Sequence, residues 1–285
     1  MPSAREINRR IKSVKNTQQI TKAMKMVSSV RLRRAQERAL ATAPYIAKLE
    51  GMLKRVSAAG SSDNPLLQAR SEIKKICYLV VGADKGLAGA FNANLNKAMA
   101  ASITTQPRES FVLFVVGRKP NEYLQHLHIT ADKYWSGFSD KPSYTDAKEM
   151  AQAATELFLQ GKVDAVKIIY THFKSALTQE VTTMDMLPLA APKSEKQGPQ
   201  EEYLFIPEPQ SVLKNLLPQY LDMMVYNSLL QSAASELGAR MTAMTSATDN
   251  AGELIEKLTV NYNKVRQAGI TNELTEIVSG ANALK

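Results

Sequence analysis

Residues 237–272 read LGARMTAMTSATDNAGELIEKLTVNYNKVRQAGITN, and their spacing determines the fold of the C-terminal part of the chain. Apolar or small residues recur in this stretch at alternating intervals of four and three. Five heptads of this kind are typical of a helix that packs along another helix in a coiled coil. No proline follows Pro218, so a helix over the remaining 67 residues would span roughly 100 Å. The predicted contact line, which we call the seam, consists of Leu237, Met241, Met244, Thr248, Ala251, Ile255, Leu258, Tyr262, Val265, Gly269 and Asn272.

The seam weakens towards the C-terminus, where a second apolar stripe begins in another phase at Ile270, Leu274, Ile277 and Ala281. A helix this long cannot fold back within a compact domain and needs a partner. The best candidate is the N-terminal segment, which would form an antiparallel pair with it.

The N-terminal segment has neither proline nor glycine between Pro2 and Pro44, so nothing in the sequence breaks a helix there. Ser3 and Glu6 have the spacing of a capping box. Apolar residues then recur with helical spacing in two sets, which Gln18 and Thr21 separate. The expected contact residues are Ile7, Ile11 and Val14 in the first set and Ile20, Met24 and Val27 in the second.

The middle of the chain has a different pattern of apolar residues. Short apolar runs at 76–81, 111–116 and 166–170 alternate with stretches of helical composition at 92–102 and 145–160. This alternation predicts β-α-β units with a largely parallel sheet. Further strands are expected at 179–187 and 203–206. The resulting division is an N-terminal helix at 1–60, an α/β domain at 70–208 and a C-terminal helix at 211–285.

The charge is concentrated at one end. The chain carries +9, but residues 1–58 hold 14 Lys/Arg against 3 Asp/Glu, a net +11, and the remainder is close to neutral. The basic surface of this helix could be exposed to solvent, could contact nucleic acid or could dock an acidic protein. No aromatic residue lies in 5–38, which disfavours nucleic acid. Because Cys77 is the only cysteine and no apolar run approaches ~20 residues, a disulfide scaffold and a membrane span are excluded.

The glycine-containing loop at 82–89, GADKGLAG, follows a predicted strand and precedes a predicted helix, where phosphate-binding loops lie. Its spacing matches neither the Walker loop nor the dinucleotide fingerprint. His126 and His128 are expected on opposite sides of a strand, without neighbouring ligands, so a metal site is not expected. We find no catalytic triad or acid–base pair. A nucleotide-dependent α/β enzyme and a basic coiled-coil nucleic-acid binder remain as alternatives to a protein-docking role.

Two runs at opposite ends of the chain resemble the signatures of the gamma subunits of F-type ATP synthases. They are RIKSVKNTQQITKAMKMV at 10–27 and ITNELTEIVSGANA at 270–283, with RMTAM at 240–244, ATDNA at 247–251 and GLAGAFN at 86–92 in support. The resemblance covers essentially the full chain. In the central loop, Ala83, Lys85 and Ala88 replace the Ser, Arg and Cys that are frequent in the family.

The resemblance implies a fold in which the two terminal helices form a long antiparallel coiled coil beside a central Rossmann-like α/β domain. It implies a non-catalytic rotor whose partners are the alpha and beta subunits of the head, the epsilon subunit and the membrane ring of c subunits. Neither nucleic acid nor a membrane span of its own is implied. The chain would lie peripherally at the cytoplasmic face of a bacterial plasma membrane.

The same resemblance implies no cofactor in this chain, with ATP, ADP and Mg bound by partner subunits. Met24 and Lys25 would lie near an acidic lever of the catalytic subunits, and Arg266 and Gln267 against their catch loop. The residues implied in contact with the head are Met24, Lys25, Arg266, Gln267, Thr271, Glu273 and Glu276; those at the foot, facing the ring or epsilon, are Tyr203, Phe205 and Ile206.

Overall fold

The computed structural model describes residues 3–58, 64–70, 72–189 and 209–283. It confirms the mixed α/β class, with a long helix at each end and a mostly parallel sheet between them. The elements are α1 (Ala4–Ala58), β1 (Ile76–Val81), α2 (Phe91–Ile103), β2 (Phe111–Val116), α3 (Arg118–His126), β3 (Lys133–Trp135), α4 (Tyr144–Leu159), β4 (Ala165–Phe173), β5 (Gln179–Leu187) and α5 (Pro209–Ala283).

The chain forms two compact units. The α/β unit comprises residues 29–240, and the two-helix unit comprises residues 1–28 and 241–285. Both α1 and α5 therefore contribute to each unit. The division expected from the sequence, into residues 1–60, 70–208 and 211–285, stays a prediction.

The α/β unit is built on a five-stranded sheet with the order β3-β2-β1-β4-β5. Strands β1, β2, β3 and β4 are parallel, and β5 is antiparallel to β4. Strands β1, β2 and β5 match the predicted runs. The side chains of β1 and β2 are almost all apolar, as expected for strands that are covered on both faces of the sheet.

Helices cover both faces of this sheet. On one face, Leu95 and Met99 of α2 and Leu124 of α3 pack on Val80 and Val115. On the other face, α4 and the first part of α5 form a larger core with the C-terminal end of α1. Its members include Leu49, Leu53, Leu79, Phe114, Met150, Ile168, Leu217 and Leu221. Pro44 lies inside α1 without ending the helix.

The two-helix unit is an antiparallel pair. The predicted capping box is present, since the Ser3 amide donates to Glu6 Oε2 at 3.0 Å and the Glu6 amide to Ser3 Oγ at 3.3 Å. On α5 the four-three pattern is confirmed through Val265, because its positions from Met244 onwards are buried or half-buried, and from Ile255 onwards their neighbours in the sequence are exposed. Burial ends there: residues 266–282 are all exposed.

The predicted seam of α1 is right in its first set and wrong in part of its second. Ile7 and Ile11 are buried, but Ile20 is 60 % and Val27 is 52 % exposed. Thr21 and Ser28 are buried in their place, and Gln18 is half-buried. Gln18, Thr21 and Ser28 continue the four-three spacing that begins at Ile7. Their position on the helix, and not their hydrophobicity, therefore places them in the seam.

The polar seam residues are accommodated by hydrogen bonds between the helices. The hydroxyl oxygens of Thr21 and Thr248 are 2.8 Å apart, and Gln18 Nε2 donates to the Thr248 carbonyl at 3.4 Å. A Cβ on Gly252 would lie only 3.2 Å from Gln18 Nε2, so the absence of a side chain there gives Gln18 its space. The register that these contacts set places Ile7 at the level of Tyr262.

Candidate functional site

The site residues expected on α1 lie in the two-helix unit. Met24 is half-buried and Lys25 is exposed. Ile20 and Val27, which the seam does not use, are exposed and lie on the same face of α1 as Met24, since the three residues are spaced by four and three. Lys25 lies about 100° further round the helix, on the other side of the seam from Ile20. An apolar face beside a cation suits a partner segment that is both apolar and acidic.

The site residues expected near the end of α5 lie on a helix that no longer has a partner within the described chain. Since α1 begins at Ala4, which the register places at the level of Val265, the following residues extend beyond it. The exposed side chains there include both the polar residues expected from the sequence and the second apolar stripe. They are Arg266, Gln267, Thr271, Glu273 and Glu276, with Ile270, Leu274 and Ile277.

The structure brings the expected residues together in two groups. Thr271 Oγ1 donates to the Gln267 carbonyl at 3.0 Å, which is a contact within the helix. Met24 lies at the level of Thr245, and Arg266 follows 21 residues later, which corresponds to about 30 Å along the helix. The two groups are therefore separate surfaces. Tyr203, Phe205 and Ile206, and the strand expected at 203–206, lie outside the described residues.

The glycine-rich loop, residues 82–89, is tied to its neighbours by Asp84, a residue that sequence reasoning did not single out. The buried Asp84 carboxylate accepts from the amides of Arg118 at 3.1 Å, Gly137 at 2.8 Å and Ser139 at 3.1 Å. The loops that follow β1, β2 and β3 are thus joined through one carboxylate. Two of the loop's own amides are also bonded within the protein: the Gly82 amide donates to the Val116 carbonyl at 2.9 Å and the Asp84 amide to Ser139 Oγ at 2.9 Å. A phosphate-binding loop would instead direct its amides at the ligand.

Helix α5 lies at the crevice where ligands bind in open α/β sheets. That crevice is at the C-terminal ends of the strands where the strand order reverses, which here is between β1 and β4. Ser232 Oγ donates to the Val81 carbonyl at 3.1 Å, and Ser235 Oγ to the Thr171 carbonyl at 3.0 Å. The Phe173 amide donates to Gln231 Oε1 at 3.2 Å. The polar groups at this edge are therefore bound to the chain's own helix.

A buried ion pair on α5 adjoins the same loop. Arg240 Nη2 donates to Glu236 Oε1 at 2.6 Å, and the two side chains are 8 % and 1 % exposed. Burial raises the pKa of Glu236, and the Arg240 charge offsets this only in part. Arg240 Nη2 also donates to the Gly86 carbonyl at 3.1 Å.

The histidines are placed differently from the prediction. His126 is the last residue of α3, and His128 follows in a turn with a φ of 56°, so neither lies on a strand. The strand was expected because this short segment resembles an alternating pattern, but residues 118–126 are helical. Across the described ranges, no three His, Cys, Asp or Glu side chains are grouped to hold a metal ion. Burial raises the pKa of the Cys77 thiol to about 12.

None of the helices in the described part of the chain carries an apolar stretch long enough to cross a bilayer.

The comparisons with known proteins agree with this architecture. The family model described as ATP synthase matches residues 3–284. The ATP synthase gamma chain of Heliobacterium modesticaldum is 46 % identical over 100 % of both chains, and that of Desulforamulus reducens is 44 % identical over 100 % of both. This chain belongs to the ATP synthase family, as a relative of its gamma chains.

Solved structures show the same fold. A structure of the Euglena gracilis mitochondrial ATP synthase contains a chain with a TM-score of 0.70 and 18 % identity, covering 99 % of this chain and 94 % of that one. A chain in the central stalk and c-ring of the Tetrahymena thermophila mitochondrial ATP synthase has a TM-score of 0.63 and 24 % identity, covering 80 % of this chain and 99 % of that one.

Proposed function

We propose that this chain is the rotating central shaft of an F-type ATP synthase. Rotation of a membrane ring driven by ion flow would turn it, and its asymmetric surface would open and close the catalytic sites of the head in sequence. In the reverse direction, ATP hydrolysis would drive the same rotation. The observation that carries the proposal is the match to gamma chains at 46 % identity over the full length of both chains.

The exposed surfaces of the two-helix unit support this role. A shaft can bias a catalytic subunit only through contacts that differ between the states of that subunit. Met24 offers an apolar group to an acidic lever together with Ile20 and Val27 on the same face of α1, and Lys25 offers a cation on the adjacent face. The exposed helix after Val265 would turn inside the head, where Arg266 and Gln267 would contact a catch loop. The same proposal assigns Thr271, Glu273 and Glu276 to this second contact.

We propose further that the chain itself is non-catalytic and binds no cofactor. Nucleotide and Mg would be held by the partner subunits. The crevice between β1 and β4 supports this, because Ser232, Ser235 and Gln231 of α5 bind the polar groups at that edge. Tyr203, Phe205 and Ile206 would meet the ring or the epsilon subunit, at the cytoplasmic face of the membrane.

Co-purification with the head tests the proposal. An affinity-tagged chain expressed in its own cells should retain a ring of ATP-hydrolysing subunits. Removing the chain should abolish rotation and ATP-driven ion pumping. If the chain purifies alone, and pumping is the same without it, the proposal is wrong. Saturable nucleotide binding by the isolated chain would favour an enzyme instead, and affinity for nucleic acid that falls steeply with salt would favour a nucleic-acid binder.

A further inference from the structure

The glycine-rich loop of the α/β unit is held by side chains that belong to both long helices. The loop spans residues 82–89 and follows β1. Arg31 belongs to α1 and Arg240 to α5, and each is at or near the end of the α/β unit on its helix. Both helices continue beyond these residues into the two-helix unit.

The contact from α1 passes through Asp140. Arg31 Nη1 donates to Asp140 Oδ2 at 2.5 Å, and Lys85 Nζ of the loop donates to the same oxygen at 3.2 Å. One carboxylate oxygen therefore bridges a helix cation and a loop cation. The Asp140 side chain is about one-fifth exposed, whereas the two cations are more open to solvent.

The contact from α5 goes directly to the loop backbone. Arg240 donates through Nε at 3.3 Å and through Nη2 at 3.1 Å to the Gly86 carbonyl. The buried Glu236 carboxylate holds the guanidinium from the other side. A planar guanidinium fixed at two edges has a defined orientation, which a lysine ammonium would lack.

We propose that these two contacts form a torque clamp, in which Asp140 and Arg240 fix the rotation of α1 and α5 against the α/β domain. The proposal rests on the proposed rotor function. Apolar packing is non-directional and permits a helix to turn slightly about its axis. Charge-assisted hydrogen bonds depend on distance and angle, and therefore resist that turning. Asp140 is a positioning residue in this role.

The clamp affects mechanics more than stability. The Arg31 side chain is half exposed, and ion pairs with exposed partners contribute little to folding free energy because water and salt screen them. Removing the Asp140 charge should therefore leave the fold intact, while it allows α1 to rotate more freely against the α/β domain. This separates the clamp from an ordinary structural contact, whose loss would appear first in thermal stability.

The experiment measures angular fluctuation in the assembled complex. A rotation probe is attached to Leu177→Cys, because Leu177 is 82 % exposed on the turn between β4 and β5. The native Cys77 is fully buried, so within this chain the introduced cysteine is labelled selectively, and the chain is labelled before it is assembled with the other subunits. With the catalytic sites blocked by an inhibitor, the width of the probe's angular distribution reports the twist between the head and the α/β domain.

We expect Asp140→Asn to widen this distribution, and Arg31→Gln to widen it to the same extent from the helix side. The angular distribution of the double variant should be no wider than that of either single variant, because each substitution alone already breaks the link from Arg31 to the loop. The melting temperature should change by less than about 4 °C in each variant. The matched control is Asp132→Asn, which removes a carboxylate that binds Arg108 at 2.9 Å within the α/β unit, away from both helices.

An unchanged distribution in both single variants overturns the clamp, as does equal widening in Asp132→Asn. These results differ from a failure of the proposed function, in which the complex with the unaltered chain would show no ATP-driven rotation of the probe.

Discussion

The hydroxyl of Thr21 on α1 lies 2.8 Å from the hydroxyl of Thr248 on α5, in the middle of a seam that is otherwise largely apolar. Each hydroxyl also approaches a carbonyl of its own helix, Gln18 for Thr21 and Met244 for Thr248. A polar pair at one seam position specifies register, because any slip of one helix along the other breaks the contact between the two hydroxyls and places each of them against apolar side chains.

Replacing Thr248 by valine should destabilise the two-helix unit by about 1 kcal/mol, since Thr21 loses one of its partners. Thr248→Ser is the matched control, because it retains the hydroxyl. Urea unfolding of the chain measures the difference in unfolding free energy between these two variants. Equal stability of Val and Ser at this position would show that the inter-helix hydrogen bond contributes nothing.

Introducing a charge at Met24 should disturb coupling more than assembly. Met24→Lys places an additional cation on the surface proposed to meet an acidic lever, which changes the contact without unfolding the helix. The ratio of ions pumped to ATP hydrolysed should fall while the complex still assembles. Met26→Lys adds the same charge at a neighbouring exposed position and serves as the control. An unaltered pumping ratio in Met24→Lys would remove Met24 from the proposed contact.

The first glycine of the glycine-rich loop should tolerate no side chain. A Cβ on Gly82 would lie 2.2 Å from Pro120 Cγ and 2.8 Å from Leu95 Cδ2, so the surrounding core must shift to admit it. We expect Gly82→Ala to cost about 1–3 kcal/mol of stability, as overpacked cores do. Gly51→Ala is the contrast, because it lies inside α1 with open space around it and should stabilise the chain by about 0.5–1 kcal/mol. Thermal unfolding should show a lower melting temperature for Gly82→Ala and a higher one for Gly51→Ala than for the unaltered chain.

The Asp140 carboxylate should make the stability of the chain depend on pH in the acidic range. Burial alone raises the pKa of Asp140, but the hydrogen bond from Lys85 and the charges of Lys85 and Arg31 outweigh it, so the pKa lies below the usual 3.8. A carboxyl whose pKa is lowered by folding stabilises the folded state above its unfolded pKa, and this contribution is lost as the pH falls through the folded pKa. Unfolding measured between pH 6 and about pH 3 should therefore show a shallower loss of stability in Asp140→Asn than in the unaltered chain. Parallel curves would contradict the shift.

Much of the fold follows from spacing, and the exceptions have physical causes. The strands β1 and β2 were predictable because both of their faces are apolar, and α5 because its seam repeats over five heptads. Ile20 and Val27 were assigned to the seam because they are hydrophobic, yet α1 places Thr21 and Ser28 there. Hydrophobicity alone could not reveal this, since Thr21 meets the hydroxyl of Thr248, which is 227 residues away in the sequence.

The contacts of the glycine-rich loop could not be predicted from the sequence either, because they also join residues that are far apart in the chain. Asp84 binds amides 34 and 53 residues later in the chain, and Arg31 meets Asp140 across 109 residues. Each partner is an ordinary loop residue with no local pattern. Only the glycines and the sequence RMTAM signalled that the region was of interest. The short α3 and β3 carry too few residues for a periodicity to emerge.

The pairing of Gln18 with Thr248 joins residues 230 apart, so the basic first turns of α1 have no helix to pack against until Thr248 and the turns of α5 around it have been synthesised. Closing a loop of this size is slow, because the entropy of the intervening chain is lost before any contact compensates for it. The pairing of α1 with α5 is therefore expected to be a late step in the folding of this chain.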